Sequence, residues 1–288
     1  MEMFNLLFFI YYLGDIMKNI INLVTPFDFE GNIDYDKIKV LLDRFLFSNV
    51  DGLVVFGDVS EVMTLNLEER KELLDFIIGY LDKRMEIYVS LSGNLNEILL
   101  FNSLIKDKFF YSYIIKVNEG NDTGVIKFIT YLSDKLNRNI IIDSDKKLNY
   151  EIIRSLSYCK NINGCIVRSA DFEYLCKISN LSKENFFVYL ANDCLILVGI
   201  SLGFKGIISV IGNNYPNFVS EVSENTTSSK VIYFKYEKLI NDIYKDSKVE
   251  AIKYLLKINN LIGDKTRLPY GVCSKVLKRK IEEDYLNL

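Results

Sequence analysis

The chain has 288 residues, 49% of them apolar and 25% charged, with a net charge of −3 and a pI near 5.3. That composition supports a folded core and excludes wholesale disorder, and the slight acidity argues against a surface built for nucleic acid. Histidine is absent, which removes histidine metal ligands, a histidine general base and any Ser-His-Asp relay.

Residues 3–13 read MFNLLFFIYYL, an apolar run too short to cross a bilayer as a helix. No positively charged flank of a signal peptide precedes it. Residues 1–17 are therefore set apart as an apolar extension, with no stable membrane insertion expected. Three readings stay open: a short helix packed under the domain, a segment ahead of a true start at Met17, or a membrane-associating stretch.

From residue 19 onward, short Ile/Val-rich stretches alternate with amphipathic ones. Strands are predicted at 19–24, 52–56, 86–90, 113–117, 139–142, 164–167, 186–190 and 206–210. Each is nearly continuous in apolar character, as strands buried on both faces should be. Helices are predicted between them at 35–47, 67–81, 95–106, 125–136, 150–157, 174–178 and 193–201. Asn66, with Glu69 three residues on, forms a capping-box pattern at the start of the second helix. Eight β-then-α units in series predict an α/β fold, a closed (β/α)8 TIM barrel over residues 18–230. No strand is followed by GxGxxG, so a dinucleotide fingerprint is absent. Beyond Pro216 the pattern is helical only, at 231–244, 247–260 and 272–285, with a polar turn or frayed helix end at 221–229. Residues 231–288 are read as a C-terminal helical appendage packed on the barrel. The five cysteines form no CxxC, which fits free thiols in a reduced, cytoplasmic chain.

Four stretches then come together. They are NLVTPFDFEGNID at 22–34, GDVSEVMTLNLEER at 57–70, GFKGIISVIGNNYP at 203–216 and TRLPYG at 266–271. In this order and spacing the chain resembles the dihydrodipicolinate synthase and N-acetylneuraminate lyase family of class I aldolases and lyases, from about Lys18 to the C-terminus. The resemblance implies a (β/α)8 barrel with additional C-terminal helices, often assembled as a homotetramer. It implies carbon–carbon bond making or breaking beside a 2-oxo acid, commonly pyruvate. No cofactor is expected. The tools it implies are a Schiff-base lysine on the sixth strand, a proton-shuttling tyrosine after the fifth and a Thr-Thr pair after the second. The amine must be unprotonated to attack, and barrel desolvation serves that end.

Carried over position by position, the resemblance meets different residues. The lysine position, two past Gly164, is Ile166. Slips of one or two residues give Val167 and Arg168, and a guanidinium is no nucleophile at neutral pH. The tyrosine position is Asp143. Thr-Thr-Gly-Glu becomes Asp58, Val59, Ser60 and Glu61, and Asp58 repels a substrate carboxylate. Lys116, at the end of the fourth strand, is the candidate for a relocated nucleophile, its alternative being an ion pair with Asp143 or Glu119. Asp143 is the other catalytic candidate. Substrate-binding candidates are Asp58, Ser60, Glu61, Lys146, Asp193 and Asn213, with Lys147 as further positive charge. Loop 211–214 offers backbone donors for a small anion. Convergence of Asp58, Glu61, Asp143 and Asp193 would suit Mg²⁺ or Mn²⁺, but no metal is assigned.

These residues leave enzyme status open and support three readings. The leading one is a catalytically degenerate family member, a pseudoenzyme without standard Schiff-base chemistry, binding a small organic acid or a homologous subunit. The second is an active lyase on a 2-oxo acid, using Lys116 or a metal. The third is a non-catalytic subunit in a mixed oligomer with an active homologue.

Overall fold

A computed structural model describes residues 17–117, 119–183, 185–224 and 228–288; the apolar run at 3–13 lies outside them. Eight parallel strands close into a barrel in sequence order: β1 (Lys18–Asn22), β2 (Gly52–Val55), β3 (Glu86–Leu91), β4 (Ser112–Lys116), β5 (Ile140–Asp143), β6 (Ile162–Val167), β7 (Phe187–Leu190) and β8 (Gly206–Ser209). β8 pairs with β1 to complete the circle. The (β/α)8 expectation holds, with strand ends moved by one or two residues.

The outer ring is α1 (Tyr35–Leu46), α2 (Leu67–Leu81), α3 (Leu95–Ile105), α4 (Asp122–Leu136), α5 (Tyr150–Leu156), α6 (Phe172–Ser179) and α7 (Ile196–Ser201). α1 buries Ile38, Leu41, Leu42 and Phe45, one stripe at helical spacing. The capping box at α2 forms: Asn66 accepts from the Glu69 N–H, and the Glu69 carboxylate accepts from the Asn66 N–H. The predicted helix at 193–201 divides into a 3₁₀ turn, Asp193–Leu195, and α7.

Beyond the barrel lie α8 (Phe218–Glu224), α9 (Ser229–Lys245), α10 (Lys248–Ile258) and α11 (Lys275–Leu286). α8 enters the stretch read as a turn or frayed end. Its apolar face, Phe218, Val219 and Val222, is buried, and that short face is hidden in sequence among Ser and Glu.

Side chains alternate along each strand. Ile20, Val54, Tyr88, Ile114, Ile141, Ile166, Tyr189 and Ile208 face inward and pack into one apolar middle layer. Beneath it, a Cβ on Gly52 or Gly206 would stand 2.9 Å or 3.3 Å from the Tyr88 or Tyr189 ring. Glycine there makes room for the two rings. The outward neighbours, such as Ile115, Ile142 and Val167, belong to the larger core beneath the helices.

Candidate active site at the barrel mouth

The middle layer fixes what stands above it. Two residues beyond Ile114, Ile141 and Ile166 on the same inward faces come Lys116, Asp143 and Arg168. These three form the mouth layer at the carboxyl ends of β4, β5 and β6, joined by Asp58 from the loop after β2.

Arg168 is the hub. Its guanidinium donates to Asp143 Oδ1 at 2.8 Å and Oδ2 at 3.0 Å, and to Asp58 Oδ2 at 2.8 Å. Lys116 Nζ donates to Asp58 Oδ1 at 2.7 Å and lies 2.8 Å from Asp145 Oδ1. Lys248 of α10 approaches Asp58 at 3.8 Å. Lys116 thus faces inward, but its partners are Asp58 and Asp145, not the expected Asp143 or Glu119. Asp143 is already committed to Arg168.

The electrostatics follow from this arrangement. Burial works to raise the Asp58 carboxyl, but Arg168, Lys116 and Lys248 outweigh it and hold the group down at about 2. Burial raises Asp143 to about 6 against the pull of Arg168, with the Asp58 charge adding to the rise. For Lys116 burial acts downward, yet Asp58 and Asp145 prevail and keep the ammonium above its ordinary value. The cluster holds a protonated lysine and one poised carboxyl, Asp143.

Other candidates sit elsewhere. Glu61 is buried and pairs with Lys253 of α10, while its other oxygen accepts from the Arg267 N–H at 2.8 Å. Its backbone is left-handed, at φ 55°, a conformation these contacts hold in place. Ser60 closes the turn by donating to the Gly57 carbonyl at 2.7 Å. Asp193 is fully buried and accepts from the Val210 and Ile211 N–H groups and the Tyr244 hydroxyl. Asn213, also fully buried, accepts from Val24 N–H and donates to the Asn22 and Val210 carbonyls. The donors foreseen for an anion at 211–214 are thus engaged from within: Asp193 holds Ile211, and Ser209 accepts from Gly212 N–H. Of the proposed acidic quartet, only Asp58 and Asp143 meet, and Arg168 stands between them. Among the described residues no group of three or more His, Cys, Asp or Glu is arranged to hold a metal ion. Lys146 lies on the exposed loop after β5, its N–H donating to Ser144 Oγ at 3.1 Å.

Sequence reading missed Arg168 as the hub, Asp145 and Lys253. For Arg168 the signal was present, since residue 168 shares the inward face of Ile166. The Glu61–Lys253 pair joins residues 192 positions apart, and nothing local announces it.

A closed parallel barrel with its polar residues gathered at the carboxyl ends of the strands, and extra helices behind, defines the aldolase-type barrel architecture. The profile of the Dihydrodipicolinate synthetase family matches residues 15–108 and 136–286, and the chain belongs to that family. It is 29% identical to the 4-hydroxy-tetrahydrodipicolinate synthase of Karelsulcia muelleri, over 94% of this chain and 99% of the relative. Identity is 26% to the enzyme of that name from Thermosipho melanesiensis, over 91% and 94%. Among solved structures, dihydrodipicolinate synthase from Aquifex aeolicus superposes with a TM-score of 0.86 at 21% identity, covering 93% of this chain and 96% of the other. The chloride-inhibited enzyme from Acinetobacter baumannii complexed with pyruvate gives 0.88 at 21%, covering 94% and 98%. Those structures share the fold. No helix among the described residues is long and apolar enough to cross a membrane.

Proposed function

We propose that this chain is a divergent member of the family that does not turn over a 2-oxo acid through a Schiff base, and that its mouth is a self-paired ion cluster available for binding. The observation that carries this is the inward position two residues past Gly164. It holds Ile166, 7% exposed within the apolar middle layer. An aliphatic side chain offers no nucleophile, and the guanidinium above it stays protonated. The remaining tools differ as well, with the carboxyl of Asp143 at the tyrosine position and Asp58-Val59 at the hydroxyl pair. Asp58 and Asp143 already occupy Arg168, and Asp58 also holds Lys116, so these cations are not free to receive a substrate carboxylate. The unpaired thiols of all five cysteines support a reducing compartment, the cytoplasm.

A second reading, an active synthase, is favoured by two observations. The relatives from Karelsulcia muelleri and Thermosipho melanesiensis both bear the name 4-hydroxy-tetrahydrodipicolinate synthase and align nearly end to end. Lys116 also projects into the mouth. On this reading Lys116 must shed its proton and leave Asp58 before it can attack.

One experiment separates the two. The protein is incubated with pyruvate and borohydride and its intact mass is measured, alongside a condensation assay. The first reading expects no adduct. An adduct on Lys116, lost in Lys116→Met and accompanied by turnover above about 0.1 s⁻¹, would establish the second, since ordinary enzymes run at about 1–1000 s⁻¹.

A further inference from the structure

A cavity lies largely outside the barrel wall and reaches Asp145, Ile166 and Arg168 at the edge of the mouth. It occupies about 250 Å³ between the outward faces of β5 and β6 and the helices α5 and α6, and opens beside the loops that follow the two strands. Its floor is apolar: Ile142 and Val167 from the strands, Ile153 from α5 and the Tyr174 ring from α6, all buried in the outer core. Its rim is polar and cationic. Ser144, 6% exposed, already accepts from Lys146 N–H, and Ser169 accepts from Asp171 N–H. Each hydroxyl therefore keeps its hydrogen to donate.

The charge on the lining is one-sided. Lys146, Lys147 and Arg168 face one acid, Asp145, and Asp145 is held by Lys116. Arg168 spends its two terminal nitrogens on Asp58 and Asp143, while its Nε, buried without a hydrogen-bond partner, lies 3.7 Å from Asp145. Lys147 is tethered to Asp171 at 2.8 Å and lies 5.3 Å from the Tyr174 ring centroid, which stations its ammonium over the apolar floor.

From this we infer that the cavity is a binding site for a small amphipathic monocarboxylate. Its tail would lie on Ile142, Ile153, Val167 and Tyr174, and its carboxylate would meet Ser144, Ser169 and the two lysines. The volume corresponds to roughly eight water molecules at about 30 Å³ each, so the ligand has on the order of eight heavy atoms. Hexanoate fits that description. A doubly charged, wholly polar anion such as phosphate fits the rim and wastes the floor. The apolar floor lies outside the barrel wall, so the inference does not require the mouth to catalyse, although Asp145 and Arg168 are shared with the mouth.

The test titrates the full-length protein with acetate, butyrate, hexanoate, hexanamide and inorganic phosphate. Calorimetry gives affinity, and methyl NMR of isoleucine and valine gives location. Hexanoate is expected to bind at least about tenfold tighter than acetate, because each added methylene gains apolar burial. It is also expected to exceed hexanamide by about tenfold, the value of a charge-assisted contact. Shifts should centre on Ile142, Ile153 and Val167. Lys146→Met/Lys147→Met should weaken hexanoate several-fold. Equal binding of hexanoate and hexanamide, phosphate binding as tightly as hexanoate, or shifts confined to Ile20, Ile114 and Ile141 in the barrel would each overturn the inference. So would the absence of any binding at 10-millimolar order.

Discussion

Two ion pairs of the same chemical type, one at the mouth and one behind it, are driven in opposite directions. At the mouth, Asp58 is lowered and Lys116 raised, each toward its charged form. Behind the loop after β2, burial raises Glu61 and lowers Lys253, each toward its neutral form and each against the pull of the other. The difference is numerical density of partners. Asp58 has three cations within 4 Å, enough to outweigh desolvation. Glu61 has one lysine and a backbone N–H, and both side chains of its pair are 0% exposed. Arg267 and Lys253 also flank the Phe27 ring, at 4.5 and 4.3 Å from its centroid. The mouth is a partly solvated network in which charges substitute for one another. The inner pair is sealed and has no understudy, so removing one partner strands a buried charge.

The sharpest way to break that contrast is Lys253→Met. It leaves Glu61 buried with its partner gone, and a loss of about 3–5 kcal/mol is expected in chemical denaturation at pH 7. Adding Glu61→Leu should recover most of it, because both charges are then removed. A single-variant loss below about 1 kcal/mol would erase the distinction. The mouth counterpart is Arg168→Met. Asp58 keeps Lys116 and Lys248, but the nearly buried Asp143 loses its bidentate partner, so the expected loss is smaller, about 1–3 kcal/mol. Its Asp143 carboxyl should titrate higher still, which carbon-detected NMR would register.

Much of this frame could be read before any coordinates. The strands were legible because burial on both faces makes each a continuous Ile/Val run, and Asn66 with Glu69 announced a helix start to the residue. The motif stretches 22–34, 57–70 and 266–271 were legible as a set. The structure explains why they travel together: Arg267 donates to the Gly31 and Thr64 carbonyls and to both Glu69 oxygens. Those motifs report a clamp behind the mouth more than the chemistry in it. The inward face of Lys116 was not legible, since a one-residue change of register reverses it. Nor were the partners of Asp193 and Asn213, two polar residues in the turns after β7 and β8 that bond to groups inside the protein. Sequence places such residues near a site without saying which way they point.

Asp143→Asn sharpens the comparison through pH. A carboxyl whose folded pKa is raised binds its proton more tightly in the native state than in the unfolded chain. Its contribution to stability is complete below the unfolded value, about 4, and is lost as pH rises through about 6. The parent should therefore lose stability relative to Asp143→Asn between pH 4 and 7. Melting midpoints of both proteins across that window give the difference directly. A constant offset would mean that the Asp143 carboxyl titrates in the folded protein as it does in the unfolded chain.

Lys116→Met should have the smallest effect. Asp58 retains Arg168 at 2.8 Å and Lys248 at 3.8 Å, so no buried charge is stranded. The lysine is 19% exposed and Asp145, its second partner, 49%. Solvent takes up much of what is lost, and the expected change at pH 7 is about 1 kcal/mol or less. The informative readout is the acid limb. Asp58 has a depressed folded pKa, so its contribution is present above the unfolded value and disappears as pH falls toward about 2. Removing one of three cations moves the Asp58 pKa upward, and the contribution then begins to fade at higher pH. An unfolding midpoint in acid that shifts upward by a few tenths of a pH unit, with stability at pH 7 nearly unchanged, is the signature of a network with redundant charges. A large loss at pH 7 instead would mean that Lys116 is as irreplaceable to Asp58 as Lys253 is to Glu61. The mouth and the sealed pair would then follow the same rule.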